Sequence, residues 1–82
     1  MDNQRAYLLG LEVQNAYNQD PGDFGKLERF AEALSIKRGH RAYIFLLVRE
    51  IRGLIGSKKR VHYLTGVDMK EIRERASSSR DL

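Results

Sequence analysis

The stretch His40 to Gly56 constrains the fold more than any other. Its Ile44, Leu47, Val48, Ile51, Leu54 and Ile55 recur three and four residues apart, the spacing that gathers side chains on one face of a helix. The β-branched members would also suit a buried strand, but the length and the recurrence decide for a helix. That helix should be the spine of the core, with its apolar arc turned inward.

Other segments follow the same period. From Asn3 to Asn18 the apolar positions Ala6, Leu9, Val13 and Ala16/Tyr17 make one stripe, which Leu8 and Leu11 widen. Gly10 inside it costs about 1 kcal/mol relative to Ala, which points to close packing by another helix. Asp20-Pro21-Gly22-Asp23 reads as a stop and a start, with Asp20 capping and Pro21 at the first helical position. Phe24, Leu27, Phe30/Ala31 and Leu34 then define a second helix that ends near Lys37-Arg38-Gly39, where glycine can take a left-handed cap.

After Gly56-Ser57 the pattern weakens. Val61 to Leu64 suggests a short fifth turn. Asp68 is a plausible N-cap, with Glu71 three residues on and Val67 and Ile72 set as a hydrophobic staple. A final helix is expected from Met69 to about Ala76, followed by a flexible tail over 77–82. The chain thus reads as all-α, a small bundle of four helices in one domain over 1–76. At 82 residues the core must be thin, and a partner or a second copy would help to cover it.

Composition removes many function classes. There is no Cys, so disulfides, thiolate chemistry and Cys-containing zinc sites are excluded. His40 and His62 are separated by the long helix and do not suggest a metal site. No Gly-rich phosphate loop, nucleophile elbow or His-Glu metal spacing is present, and Glu71 and Glu74 interleave with Lys70, Arg73 and Arg75 as a solvated helix face would. Neither catalytic residues, a cofactor nor a small-molecule substrate is expected. The longest apolar run, Ala42 to Val48, is too short to span a bilayer, and the reading is of a cytoplasmic binding protein.

The charge is unevenly spread. Residues 1–36 carry three basic and six acidic side chains, whereas residues 37–82 carry twelve basic and five acidic. Between Lys37 and Arg60 stand Lys37, Arg38, Arg41, Arg49, Arg52, Lys58, Lys59 and Arg60 against a single acid, Glu50. On a helical wheel Arg41, Arg49 and Arg52 share a sector of roughly 80°, about 120° from the apolar arc. Such a row suits a nucleic-acid backbone, single-stranded or guide-bound. Phe45, inside the sector, could stack on an unpaired base. A basic helix face is also often mere solvated surface. Pairing of these arginines with carboxylates of the same chain would remove the ground for a polyanion partner.

Val61 to Ile72 resembles the turn and recognition-helix start of helix-turn-helix DNA-binding regulators, with His62 where that family has a small residue. A protein adaptor or inhibitor, its basic face set against an acidic protein, is the remaining alternative. Finally, Ala6-Tyr7-Leu8-Leu9-Gly10 with Gln14, followed by the Phe24/Leu27 helix and a long basic helix, resembles the C-terminal helical region of the large subunits of class 1 CRISPR effector complexes, also made separately as a small subunit. The resemblance covers the first two thirds of the chain and leaves 57–82 without a counterpart. It implies a non-catalytic helical bundle in a multi-subunit complex, where basic side chains guide target or displaced strands.

Overall fold

A computed structural model describes residues 1–58 and 63–80. Four helices follow one another: α1 (Asn3–Gln19), α2 (Phe24–Arg38), α3 (Arg41–Lys58) and α4 (Gly66–Arg80). The order is up-down-up-down. Glu12 of α1 reaches Arg38 of α2, Glu28 and Glu32 of α2 meet Arg52 and Arg41 of α3, and Tyr7 of α1 lies against Arg73 of α4. α1 and α3 each pack on all the other helices, while α2 and α4 flank them without touching one another.

α3 is the spine, as its periodicity predicts. Ile44, Leu47, Val48, Ile51 and Ile55 are buried, with Leu54 at the edge, and Tyr43 joins them. Leu9, Val13 and Tyr17 of α1, Leu27, Ala31 and Leu34 of α2, and Met69, Ile72 and Ala76 of α4 close over that face. The structure corrects the reading of α1 at two positions. Leu8 is 48% exposed and Leu11 only half-buried, so neither widens the inward stripe. Gly10 is buried for the expected reason. A Cβ there would stand 2.8 Å from Cδ of Arg73, whose stem crosses α1 at this point.

The helix ends show which local signals won. Asp2 caps α1 by accepting from the Arg5 amide at 2.7 Å, and Asp23, not Asp20, caps α2 by accepting from the Lys26 amide at 2.9 Å. Asp20 instead closes α1, its amide donating to the Tyr17 carbonyl at 3.1 Å. Pro21 and Gly22 form the turn between them. The Gly22 amide, at φ 90°, donates to the Tyr17 hydroxyl at 3.1 Å. Gly39 ends α2 at φ 76° and ψ −158°, a region reserved for glycine, and His40 follows at φ 56°.

α4 departs most from expectation. Its cap is Thr65, whose hydroxyl accepts from the Asp68 amide at 3.1 Å while the Asp68 carboxylate accepts from the Thr65 amide at 3.0 Å. This is a reciprocal capping box. Asp68 is therefore the third helical residue and not the cap. The staple pair is Leu64 with Met69, both buried, and not Val67 with Ile72, because Val67 is 80% exposed. The helix begins at Gly66 and runs to Arg80, beyond the expected end near Ala76. Tyr63 to Thr65 are not helical. Val61 and His62, on which the fifth turn and the His62 departure rest, lie outside the described residues.

What holds the α3–α4 connection is a side chain of α1. The Asn18 amide donates to the Leu64 carbonyl at 2.9 Å and its oxygen accepts from the Leu64 amide at 2.7 Å, and Gln14 adds a second donor at 3.2 Å. Asn18 thus acts as a strand would, satisfying both backbone groups of Leu64 where the chain enters the core. Asn18→Ala should cost about 1–3 kcal/mol by stranding those groups. Gly53→Ala on the exposed side of α3, where an added Cβ meets nothing within 4 Å, should gain about 0.5–1 kcal/mol. Urea unfolding of the two variants should move the midpoints in opposite directions at constant slope.

Candidate interaction surfaces

The arginine row exists, but it is not bare. The two-residue connection Gly39-His40 folds α3 back along α2, which places the acids of α2 beside the bases of α3. Arg41 pairs with Glu32 at 2.6 Å, donates to the Ser35 hydroxyl at 3.3 Å and covers the Phe45 ring at 4.7 Å. Arg52 pairs with Glu28 and lies over the Phe24 ring at 4.9 Å. Arg38 pairs with Glu12 of α1 at 3.2 Å. Arg49 stands 3.7 Å from its neighbour Glu50.

The acidic and basic halves of the sequence thus complement one another within the fold. Much of the charge asymmetry is spent internally. Phe45, expected as a stacking platform, already carries a guanidinium of its own helix. Lys37 has no carboxylate partner among the described residues and sits in the last turn of α2, where the helix dipole favours a cation. Lys58 closes α3, but its side chain, like Lys59 and Arg60, lies outside the described residues. The structure therefore gathers Arg41, Arg49 and Arg52 along exposed α3, with Arg38 beside them at the end of α2, and leaves the second half of the predicted site undescribed.

Glu12, Glu28 and Glu32 are the residues that a search for cations missed. Glu28 and Glu32 are four apart on α2, a spacing that puts both on one face, but nothing local says that this face meets α3. The hydrogen bond from Arg41, aided by its charge and opposed by partial desolvation, holds the Glu32 carboxyl below the ordinary glutamate value of 4.5. The same bond pushes the Arg41 guanidinium above its ordinary value.

A second surface lies on the outward side of α1. Arg5, Leu8, Leu11, Glu12 and Asn15 line a groove of about 360 Å³ that Arg38 closes at one side. A third, of about 300 Å³ between α3 and α4, is floored by Gly53, Leu54 and Ile72 and edged by Glu50, Glu71 and Arg75. Glu71 there is paired with Arg75 at 2.9 Å. Among the described residues no three His, Asp or Glu side chains are placed to hold a metal ion, and no helix is long and apolar enough to cross a membrane.

Set beside known proteins, the chain matches no family model, no curated protein and no solved structure.

The Glu32–Arg41 pair carries a pH signature with a defined sign. A carboxyl whose folded value is depressed stabilises the fold above its unfolded value and loses that contribution as pH falls through the folded one. In a carbon-detected NMR titration Glu32 should show its inflection below 4.5, and Arg41→Ala should move that inflection upward.

Proposed function

We propose that this chain is a non-catalytic helical subunit that joins a larger assembly, with the α1–α2 side making the protein contact. One observation carries the reading. Leu8 is 48% exposed and lies with Leu11 in a groove, on a molecule whose sixteen core side chains are all at 5% or less. A large aliphatic residue in a concave, arginine-edged setting is what a protein interface uses.

Expressed with a tag in its cells of origin, the protein should sediment in a complex larger than two copies of itself. That complex should survive nuclease, and Leu8→Glu together with Leu11→Glu should release it. Sedimentation of the unaltered chain by itself overturns the reading.

A second reading, contact with a nucleic-acid backbone along α2 and α3, meets its own counter-condition, since Arg38, Arg41 and Arg52 pair with Glu12, Glu32 and Glu28 of the same chain; it rests only on the exposure that the paired guanidiniums keep. Arg38, Arg41, Arg49 and Arg52 remain 45%, 59%, 61% and 52% exposed, and each guanidinium has five donors of which a carboxylate engages only part. It ranks second because Glu12, Glu28 and Glu32 already pair with Arg38, Arg52 and Arg41, and Arg49 lies beside Glu50. Together the two readings are what the small-subunit resemblance of the opening segment implies. The helix-turn-helix alternative draws no support from the geometry. The outward side of α4 mixes Lys70 and Arg75 with Glu71 and Glu74.

The phosphate reading makes opposed predictions for the two partners of each pair. Replacing Glu12, Glu28 and Glu32 by Gln should tighten binding to single-stranded and duplex oligonucleotides in fluorescence anisotropy. Reversing Arg41, Arg49 and Arg52 to Glu should weaken it and lower the log–log salt slope by about 0.7–0.9 per lost contact. Indifference to both sets removes the reading.

A further inference from the structure

We propose that the outward face of α1 pairs, antiparallel and about a two-fold axis, with the same face of a second copy of this chain. The proposal rests on the reading of α1 as a protein-contact side and names the partner. Gln4, Leu8, Leu11 and Asn15 of α1 recur three and four residues apart, the spacing of a two-helix seam. The seam lies across α1 from the buried row Leu9, Val13 and Tyr17, and Leu8 on it is 48% exposed.

The order of side chains along this seam is its own complement when reversed. A two-fold axis through the stretch between Leu8 and Leu11 sets Leu8 of one copy against Leu11 of the other. Gln4 then faces Asn15, amide to amide. Arg5 and Glu12 are seven residues apart and therefore on the same flank of the helix, so the reversal brings Arg5 of each copy beside Glu12 of the other. Arg5 has no carboxylate partner among the described residues. Glu12 accepts from Arg38 at Oε1, and its Oε2 has no partner among them.

The charges also choose the direction. A parallel pair would put this flank of the two copies on opposite sides of the contact and leave Arg5 and Glu12 without each other, whereas the antiparallel pair brings them together. A foreign helix would have to bring an acid for Arg5 and a base for Glu12 at matching spacing, and a second copy brings both. The contact is isologous, and such two-fold dimers are the commonest oligomers. One pair of helices meeting over the ten residues from Arg5 to Asn15, about 15 Å, covers less than a standard interface. The dimer is thus weak and concentration-dependent.

Sedimentation equilibrium of the purified full chain, from about 1 μM to 1 mM at low salt, reads the equilibrium directly. The expected result is a monomer–dimer transition that Leu8→Glu abolishes, with helix content by circular dichroism unchanged because Leu8 is outside the core. Arg5→Glu alone and Glu12→Arg alone should each weaken the dimer by about 2- to 30-fold, since each puts like charges together at two symmetry-related places. The double exchange, R5E with E12R, should restore most of the affinity. A monomer throughout the range overturns the proposal, as does a dimer that ignores Leu8→Glu or fails to recover on the double exchange. None of these outcomes touches the sedimentation of the tagged chain in cells. A chain that is monomeric alone yet runs in a large complex overturns the self-pairing and leaves the subunit reading standing.

Discussion

Burial of one continuous apolar side of α3 is the constraint on which everything else in this molecule rests. Ile44, Leu47 and Ile51 are fully enclosed, and that requires cover from α1, α2 and α4 at once. A chain of 82 residues has no surplus of helix to do this twice. The three remaining helices are therefore committed to the same core, and the surfaces available for function are those that point away from it: the arginine side of α2–α3, the outward side of α1 and the shallow α3–α4 groove.

The core also explains how the charges come together. Folding α3 back on α2 through Gly39 and His40 buries Leu27, Ala31 and Leu34 against it, and this forces the flanks of the two helices into register. Glu28 and Glu32 then have Arg52 and Arg41 within reach whether or not a partner exists. Pairs that are half-exposed stabilise only weakly. Their larger effect is on recognition: they turn a row of cations into a row of ordered, partly neutralised guanidiniums. An external polyanion would compete with these internal carboxylates, and for that reason we rank the outward side of α1 above the arginine row as a candidate interaction surface.

Polar side chains fix the connections that the apolar pattern leaves undecided. Asn18 and Gln14 hold Leu64, and Thr65 and Asp68 cap the helix that follows. Through Leu64, which is buried beside Met69 in the core, the start of α4 is locked to the end of α1. Arg73 completes the contact by laying its stem over Gly10 and its guanidinium 5.0 Å from the Tyr7 ring. α1 is held on three sides by these contacts, and Leu8 on its fourth side is exposed.

How much of this was legible in the residues depends on the range of the forces involved. Periodicity and local chemistry suffice for the all-helical fold, the α3 spine, the packing role of Gly10 and the ends of α1 to α3 within a few residues, because each is decided by neighbours within about one turn. The cap of α4 was within reach too: Thr65 three residues before Asp68 is a capping-box spacing, passed over in favour of Asp68 itself. Which way Leu8 and Leu11 face, what Asn18 holds, and whether the arginines of α3 are free could not be read from the chain alone. A helix wheel counts apolar positions but does not know how wide its cover is. An ion pair or an amide bridge between residues 9 to 46 positions apart exists only once packing has brought the helices together. Local spacing was enough for a four-helix core and a divided charge; only the packing of the helices made the two charges meet each other and left Leu8 of α1 facing outward.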